Sequence, residues 1–344
     1  MKIPTRIQQA ARILVKGESS RGIRSAIPGI TLEEIAEIKQ FFPRDKFFIF
    51  GHARSGTTLL MRLVRLHPEV HCNYQAHFFT RKPLLKSLVN SAEIEEWLRR
   101  KSNRWNQGRD LSPLILRAAA DFILEREGIK TGKRIIGDKS PSSNIHGQAV
   151  KDLHAIYPDA RLIYIIRDGR DVAVSERFRN FVEESKYLSK QDEGIIAGLR
   201  QDPDSYTNGK RSIFTERFLE RVARGWVTNI TEILKGGREL FGEYFLALRF
   251  EDLKRDPLPC LERIWEHLGA GEVDPSISDL VKSELSSNPD EEWQARRNGD
   301  LAAFLSKGQV GNWRTLFTER DKSIFKRIAG AILREWEYEK NELW

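Results

Sequence analysis

The sequence predicts an α/β protein with a central parallel sheet flanked by helices on both faces. Three observations predict it. Lys46-Phe-Phe-Ile-Phe-Gly51 is a short apolar run that feeds a helical pattern, Thr57 to Arg65, through the turn His52-Ala-Arg-Ser-Gly56. Arg161-Leu-Ile-Tyr-Ile-Ile166 repeats the arrangement, passing through Arg167-Asp-Gly into Arg170-Asp-Val-Ala-Val-Ser175. Apolar strands then alternate with helices over the first half of the chain, the signature of parallel strands joined by crossover helices.

In chain order, a short acidic helix is expected from Thr31 to Gln40, and Val70 to Tyr74 forms the second strand after the turn His67-Pro68-Glu69. Helices at Ala92 to Arg100 and Leu111 to Glu127 wall a pocket. Lys133 to Gly137 is a strand opening into Asp138-Lys-Ser-Pro141, and Asn144 to Ile156 is a helix stopped by Pro158. Phe214 to Leu240 is a long helix and Tyr244 to Phe250 a strand, with a turn starting at Glu251-Asp-Leu. Helices Leu258 to Leu268 and Glu319 to Glu337 complete the pattern. Residues 1–45 are expected to be a basic arm and helix. Residues 46–344 form a single domain, with the weakly periodic, polar 181–213 as an insertion or lid.

A formal net charge of +8 points to an anionic ligand, polymer or surface. Residues 1–30 hold Lys2, Arg6, Arg12, Lys16, Arg21 and Arg24 against Glu18 alone, and Ile7, Ala10, Ala11, Leu14 and Val15 can share one helical face. That allows a weak amphipathic contact with an anionic membrane, beside the plainer reading of a basic arm. No nucleic-acid partner is expected. Two cysteines, Cys72 and Cys260, make neither a disulfide framework nor a zinc pattern, so a reducing, cytoplasmic setting is expected. No run reaches the roughly 18 apolar residues of a membrane span, and no secretory signal is expected.

Gly51 to Gly56 is an anion cradle. Ser55, Gly56 and the residues at the helix start present backbone N–H groups, and Thr57 and Thr58 add hydroxyls. The glycines follow the spacing G-x-x-x-x-G-K-[ST] of P-loops, but Thr57 stands at the lysine position and Arg54 is the only cation in the loop. Without that lysine, triphosphate chemistry loses its main charge. A guanidinium at Arg54 suits a 5′-phosphate with a short anionic tail.

Gly51-His-Ala-Arg-Ser-Gly-Thr-Thr-Leu59 together with Arg167-Asp-Gly-Arg-Asp-Val-Ala-Val-Ser175 resembles the paired nucleotide signatures of sulfotransferases that use 3′-phosphoadenosine 5′-phosphosulfate (PAPS). The pattern is similar to bacterial, heparan-type and tyrosylprotein sulfotransferases. The resemblance implies a P-loop-like sulfotransferase architecture, with the first loop on the 5′-phosphosulfate and Arg167 and Ser175, eight positions apart, on the 3′-phosphate. Lys307-Gly308 to Asn312-Trp313 is similar to the family's C-terminal loop over the 3′-phosphate, with Ser306 where cytosolic members carry arginine. Arg249-Phe-Glu-Asp-Leu resembles a further element, with Phe250 where tyrosine is common. The likeness runs from about Lys46 to Trp313, densest in these segments.

The implied reaction moves a sulfuryl group from PAPS to an acceptor hydroxyl (sugar, glycolipid, peptide or small alcohol), leaving adenosine 3′,5′-bisphosphate (PAP), with no metal. Such a transfer needs cations where charge builds on the leaving phosphate, and a base for the hydroxyl proton. Arg54 and Lys139 are the cations; Lys139 matches a lysine that related enzymes place near the bridging oxygen. Gln75-Ala-His-Phe-Phe79 resembles a Glu-x-His-Phe-Phe segment whose glutamate is the base, but an amide binds no proton near neutral pH. His77 is chosen as base, on the same face as Gln75 if the segment is extended, with His71, His146 and Asp138 as substitutes. Two alternatives stay open: a P-loop kinase or NTPase, and a non-catalytic binder of nucleotide or polyanion, which Gln75 favours.

Overall fold

The computed structural model describes residues 27–102, 104–106, 108–142, 145–183, 187–287, 309–341 and 344. The basic stretch 1–26 therefore lies outside the described residues. Five strands form one sheet: β1 (Asp45–Gly51), β2 (Val70–Tyr74), β3 (Ile135–Lys139), β4 (Arg161–Ile166) and β5 (Phe245–Arg249). Their order is β2-β3-β1-β4-β5 and every pairing is parallel.

Both faces of the sheet are covered, which is why its central strands read as continuous apolar runs. Phe48 and Phe50 of β1 and Leu162, Tyr164 and Ile166 of β4 pack into one core. Helices Ser112–Lys130, Gly147–Ile156, Gly169–Glu183, Glu216–Phe241 and Glu319–Glu335 contribute to that side. Phe47, Ile49, Ile163 and Ile165 alternate onto the other face, against helices Thr57–Val64, Pro257–Leu268 and Ile277–Ser286. The four phenylalanine and isoleucine side chains of β1 are at most 1% exposed, and each such burial contributes roughly 1.5–3 kcal/mol before entropy is counted.

The order places a switch point between β1 and β4. The chain leaves β1 toward β2 on one side and leaves β4 toward β5 on the other, which opens a crevice at the carboxyl ends of these two strands. The loops after β1 and β4 are the two segments that the sequence singles out.

Two local readings change. β3 runs on to Lys139 instead of ending at Gly137, because parallel pairing of Asp138 with Phe48 and of Lys139 with Ile49 and Tyr74 overrides the poor strand propensity of a Gly-Asp-Lys sequence. The stretch from Phe250 to Arg255 is a short helix, with Glu251 and Asp252 in its first turn, where a turn was expected. Within 181–213 the described residues hold helices Lys190–Gln201 and Pro203–Thr207, and Leu199, Tyr206 and Ile213 enter the larger core.

Candidate functional site

The first loop turns through two left-handed residues, Arg54 at φ 69° and Gly56 at φ 88°. Gly56 caps helix Thr57–Val64 and has no side chain, so no capping side chain takes up the helix's first N–H groups. A Cβ at Gly56 would stand 2.3 Å from the Phe250 ring, so close packing and backbone conformation both select glycine. The Ser55 hydroxyl is buried and has no hydrogen-bond partner among the described residues.

Across the crevice, Arg167 leaves β4 with only 5% of its surface exposed. Its Nη1 donates to the Arg54 carbonyl at 3.1 Å and its Nη2 to the Gln309 carbonyl at 2.8 Å. Its guanidinium lies 4.8 Å from the centre of the Phe250 ring, and its buried Nε has no partner among the described residues. Arg54 Nε in turn donates to Ser175 Oγ at 2.9 Å. Arg54, Arg167 and Ser175 are thus joined in one hydrogen-bonded chain, and Phe250 packs between the two loops.

The segment after residue 308 is fastened to the same place. Both oxygens of Asp171 accept backbone hydrogen bonds, from Gly311 N at 2.7 Å and Trp313 N at 3.1 Å. Burial raises the Asp171 carboxyl above its ordinary pKa, against the lowering effect of nearby Arg167. Lys307, Gly308 and Ser306 lie outside the described residues; their neighbours Gln309 and Gly311 are the ones tied to Arg167 and Asp171.

At the end of β3, Lys139 Nζ donates to Thr58 Oγ1 at 3.2 Å, which brings this lysine to the start of the phosphate-loop helix. The Tyr74 ring covers the ammonium at 3.9 Å. Burial lowers the Lys139 pKa to about 8, against the raising effect of Asp138. Asp138 moves the other way, to about 6, again chiefly by burial and against the lowering effect of its hydrogen bonds.

Asp138 also builds the wall that carries His77. Its Oδ1 accepts from Ala76 N at 2.9 Å and its Oδ2 from Ser140 Oγ at 2.5 Å, while Ser140 Oγ accepts from His77 N at 3.0 Å. Gln75 and His77 are both left-handed, at φ 58° and 54°, so the segment is not extended as the sequence reading supposed. Such conformations in residues other than glycine cost free energy and persist where surrounding bonds enforce them. His77 Nδ1 is 2.8 Å from Thr80 Oγ1, and the imidazole pKa falls below its ordinary value through burial first, then Arg81 and Lys139. Of the substitutes, His146 is held by Asn229 Nδ2 at 3.2 Å from its Nδ1, and His71 lies within β2.

The arrangement is two adjoining strand-end loops, with a buried lysine hydrogen-bonded to the helix start of the first. Buried, unpartnered donors at Ser55 and Arg167 fit phosphate oxygens at both. The family model for sulfotransferases matches residues 45–275, about two thirds of the chain. The chain belongs to the sulfotransferase family. Its relatives include sulfotransferase 1A1 of Bos taurus, 27% identical over 52% of this chain and 58% of that protein. Protein-tyrosine sulfotransferase A of Caenorhabditis elegans is 34% identical over 36% of this chain and 30% of that protein. The matches thus span less than two thirds of either relative. Among solved structures, the sulfotransferase domain of the Synechococcus PCC 7002 olefin synthase is 18% identical, with a TM-score of 0.47 over 84% of this chain and 94% of that one.

The fold brings Arg54, Ser55, Gly56, Thr57, Thr58, Arg167 and Ser175 to one crevice, with Lys139 attached through Thr58 and His77 on the adjoining wall. The sequence reading passed over Asp171 and Tyr74. Asp171 carried a signal, since it sits inside Arg167-Asp-Gly-Arg-Asp171; Tyr74 carried none beyond its place at a strand end. No helix among the described residues is long and apolar enough to cross a membrane. Cys72 and Cys260 are free cysteines.

Proposed function

We propose that this sulfotransferase moves a sulfuryl group from PAPS to a hydroxyl of its acceptor. The observation that supports the reading is the hydrogen-bonded chain Arg167–Arg54–Ser175 across the crevice, which joins the two loops assigned here to phosphate binding. Ser55, Gly56, Thr57 and Thr58 hold the 5′-phosphosulfate in this reading, and Arg167 and Ser175 the 3′-phosphate. Lys307 and Gly308 are assigned to the same phosphate on the resemblance alone. Bound there, PAPS supplies an activated sulfuryl group on a phosphate leaving group.

Lys139 and Arg54 supply the cleft's positive charge. Lys139 stands against the hydroxyl of Thr58, where a cation meets charge as it accumulates on a leaving phosphate. His77 takes the acceptor proton. Its lowered pKa keeps the imidazole neutral at neutral pH, the form in which a ring nitrogen can accept a proton. Gln75 can only orient.

The acceptor carries a free hydroxyl. The acting unit is the single domain from residue 46 onward, with 181–213 covering the acceptor side, and a cytoplasmic setting is supported by the two free thiols. The test is incubation with sulfur-labelled PAPS and a panel of sugars, glycolipids, tyrosyl peptides and small alcohols. Labelled product that forms far more slowly in Lys139→Ala supports transfer. PAP binding without turnover on any acceptor supports the non-catalytic reading that Gln75 raises.

A further inference from the structure

The loop after β3 holds a histidine, His146, whose ring is oriented by buried partners. It stands at φ 51°, a left-handed conformation in a residue other than glycine, just ahead of helix Gly147–Ile156. The Tyr164 hydroxyl donates to Asn229 Oδ1 at 2.8 Å, and both residues are fully buried. That fixes which way the amide points. Asn229 Nδ2 donates to the Ser142 carbonyl at 2.8 Å and lies 3.2 Å from His146 Nδ1. An amide nitrogen offers protons and no lone pair, so His146 Nδ1 is the acceptor and the ring proton sits on Nε2.

The opposite tautomer is set at His52. Its Nδ1 is 2.9 Å from the Ala53 carbonyl, which only accepts, so this nitrogen carries the proton and Nε2 the lone pair. Burial, ahead of every other influence, lowers the His52 pKa and keeps the ring neutral at neutral pH. The backbone brings the two histidines together: Ser142 N donates to the carbonyl of Gly51, the residue before His52, at 3.0 Å, and His146 N to the Ser142 carbonyl at 3.2 Å. Glu176 and His146 both act electrostatically on His52. Neither Nε2 has a partner among the described residues. The same loop begins at Ser140, which holds His77.

We propose that His52 and His146 orient the acceptor by a second, non-reacting hydroxyl, so that the acceptor is a polyhydroxylated molecule of the sugar class and not a simple alcohol. The inference rests on the transfer reading given above and specifies its acceptor. A hydroxyl both donates and accepts, whereas an ether or a carboxylate only accepts and an ammonium only donates. An N–H on one imidazole and a lone pair on the other match the hydroxyl. Each Nδ1 is already engaged within the protein, so neither ring can exchange its tautomer without losing a bond. Polar groups built for a hydroxyl discriminate strongly against an analogue without one, because they are then left unpaired.

The test has two arms. A long-range ¹H–¹⁵N spectrum of the full chain, assigned with His146→Gln and His52→Gln, reads the tautomers directly. His146 protonated on Nε2 and His52 on Nδ1 at neutral pH is the expected result; either tautomer reversed would overturn the subsite whatever the turnover. The second arm follows sulfur-labelled PAPS with methyl glucoside, methyl galactoside, cyclohexane-1,2-diol, cyclohexanol and a tyrosyl peptide, and thermal unfolding confirms that each variant is folded. The best polyol should exceed cyclohexanol at least about tenfold in kcat/KM. His146→Leu should raise the KM of that polyol about 10- to 100-fold with kcat changed less than about threefold. His146→Gln, which keeps a donor, should fall between wild type and His146→Leu, and cyclohexanol should not respond to either variant. Equal use of cyclohexanol and polyols, product from the tyrosyl peptide alone, or a fall in kcat with KM unchanged in His146→Leu would overturn the assignment while leaving the transfer reading intact. No labelled product from any hydroxyl compound would overturn both.

Discussion

Lys139 at the end of β3 and Thr58 in the phosphate-loop helix are 81 positions apart in the chain and 3.2 Å apart at their side-chain tips. In the proposed function, that contact makes a strand-end lysine part of the nucleotide site. Its consequence is kinetic. A cation that acts mainly on charge developing in the transition state stabilises that state more than the bound nucleotide, so removal lowers kcat more than it weakens PAP. Lys139→Ala should lose about 10²- to 10³-fold in turnover while PAP affinity falls by much less, checked by single-turnover kinetics beside calorimetry.

The pH profile follows from the same lysine. Lys139 is charged below a pKa of about 8 and neutral above it, whereas an ordinary lysine would hold its proton to 10.5. Turnover should therefore fall as pH rises through about 8. His77 must be neutral to accept a proton, and its pKa lies below 6.5, so the acid limb should lie below that value. Arginine in place of Lys139 should push the alkaline limb to higher pH while leaving the acid limb alone; an unmoved alkaline limb would detach it from this residue.

Asp138 holds the left-handed segment that presents His77, through Ala76 N and Ser140 Oγ. Asp138→Ala removes both bonds and leaves the Ala76 N–H without its acceptor, which costs about 1–3 kcal/mol of stability. Turnover should drop by more than PAP affinity does, because neither lost bond is made to the loops after β1 and β4. In the same assay His77→Ala should abolish the acid limb. Full activity in that variant would exclude His77 as the base, and a gain in Gln75→Glu would place the base at residue 75.

Asp171 ties the segment after residue 308 to the start of the helix that follows β4 by two backbone hydrogen bonds. Asp171→Ala should speed hydrogen exchange at the Gly311 and Trp313 amides. PAP binding should weaken by about tenfold, the scale of one or two hydrogen bonds to a charged group. Unchanged exchange at those two amides would show that the loop is held by something else.

What the sequence revealed and what it withheld divide along a physical line. The two loops were legible because each is a local pattern: an apolar strand, a small-residue turn and a helix start within about fifteen residues. The parallel sheet was legible for the same reason. Strand order was not, since no periodicity in β1 or β4 says that they are neighbours, and it is their adjacency that sets Arg54 beside Ser175. Phe250 was noted as a departure from a pattern, but its place between Gly56 and Arg167 depends on β5 lying next to β4. The left-handed turns at Gln75 and His77 escaped notice because neither residue is glycine or asparagine, and the bonds from Asp138 and Ser140 that enforce them come from the end of β3 and the residue after it, 62 and 63 positions along the chain.

The central claim is that the crevice between β1 and β4 takes a nucleotide phosphorylated at both 3′ and 5′ positions. Its most direct test is calorimetric titration of the wild-type chain with PAP beside ATP with Mg²⁺. Tight binding of PAP, absent for Mg²⁺–ATP and lost in Arg167→Ala, is the predicted result. Binding of Mg²⁺–ATP with none of PAP would contradict the account and put a kinase or NTPase in its place.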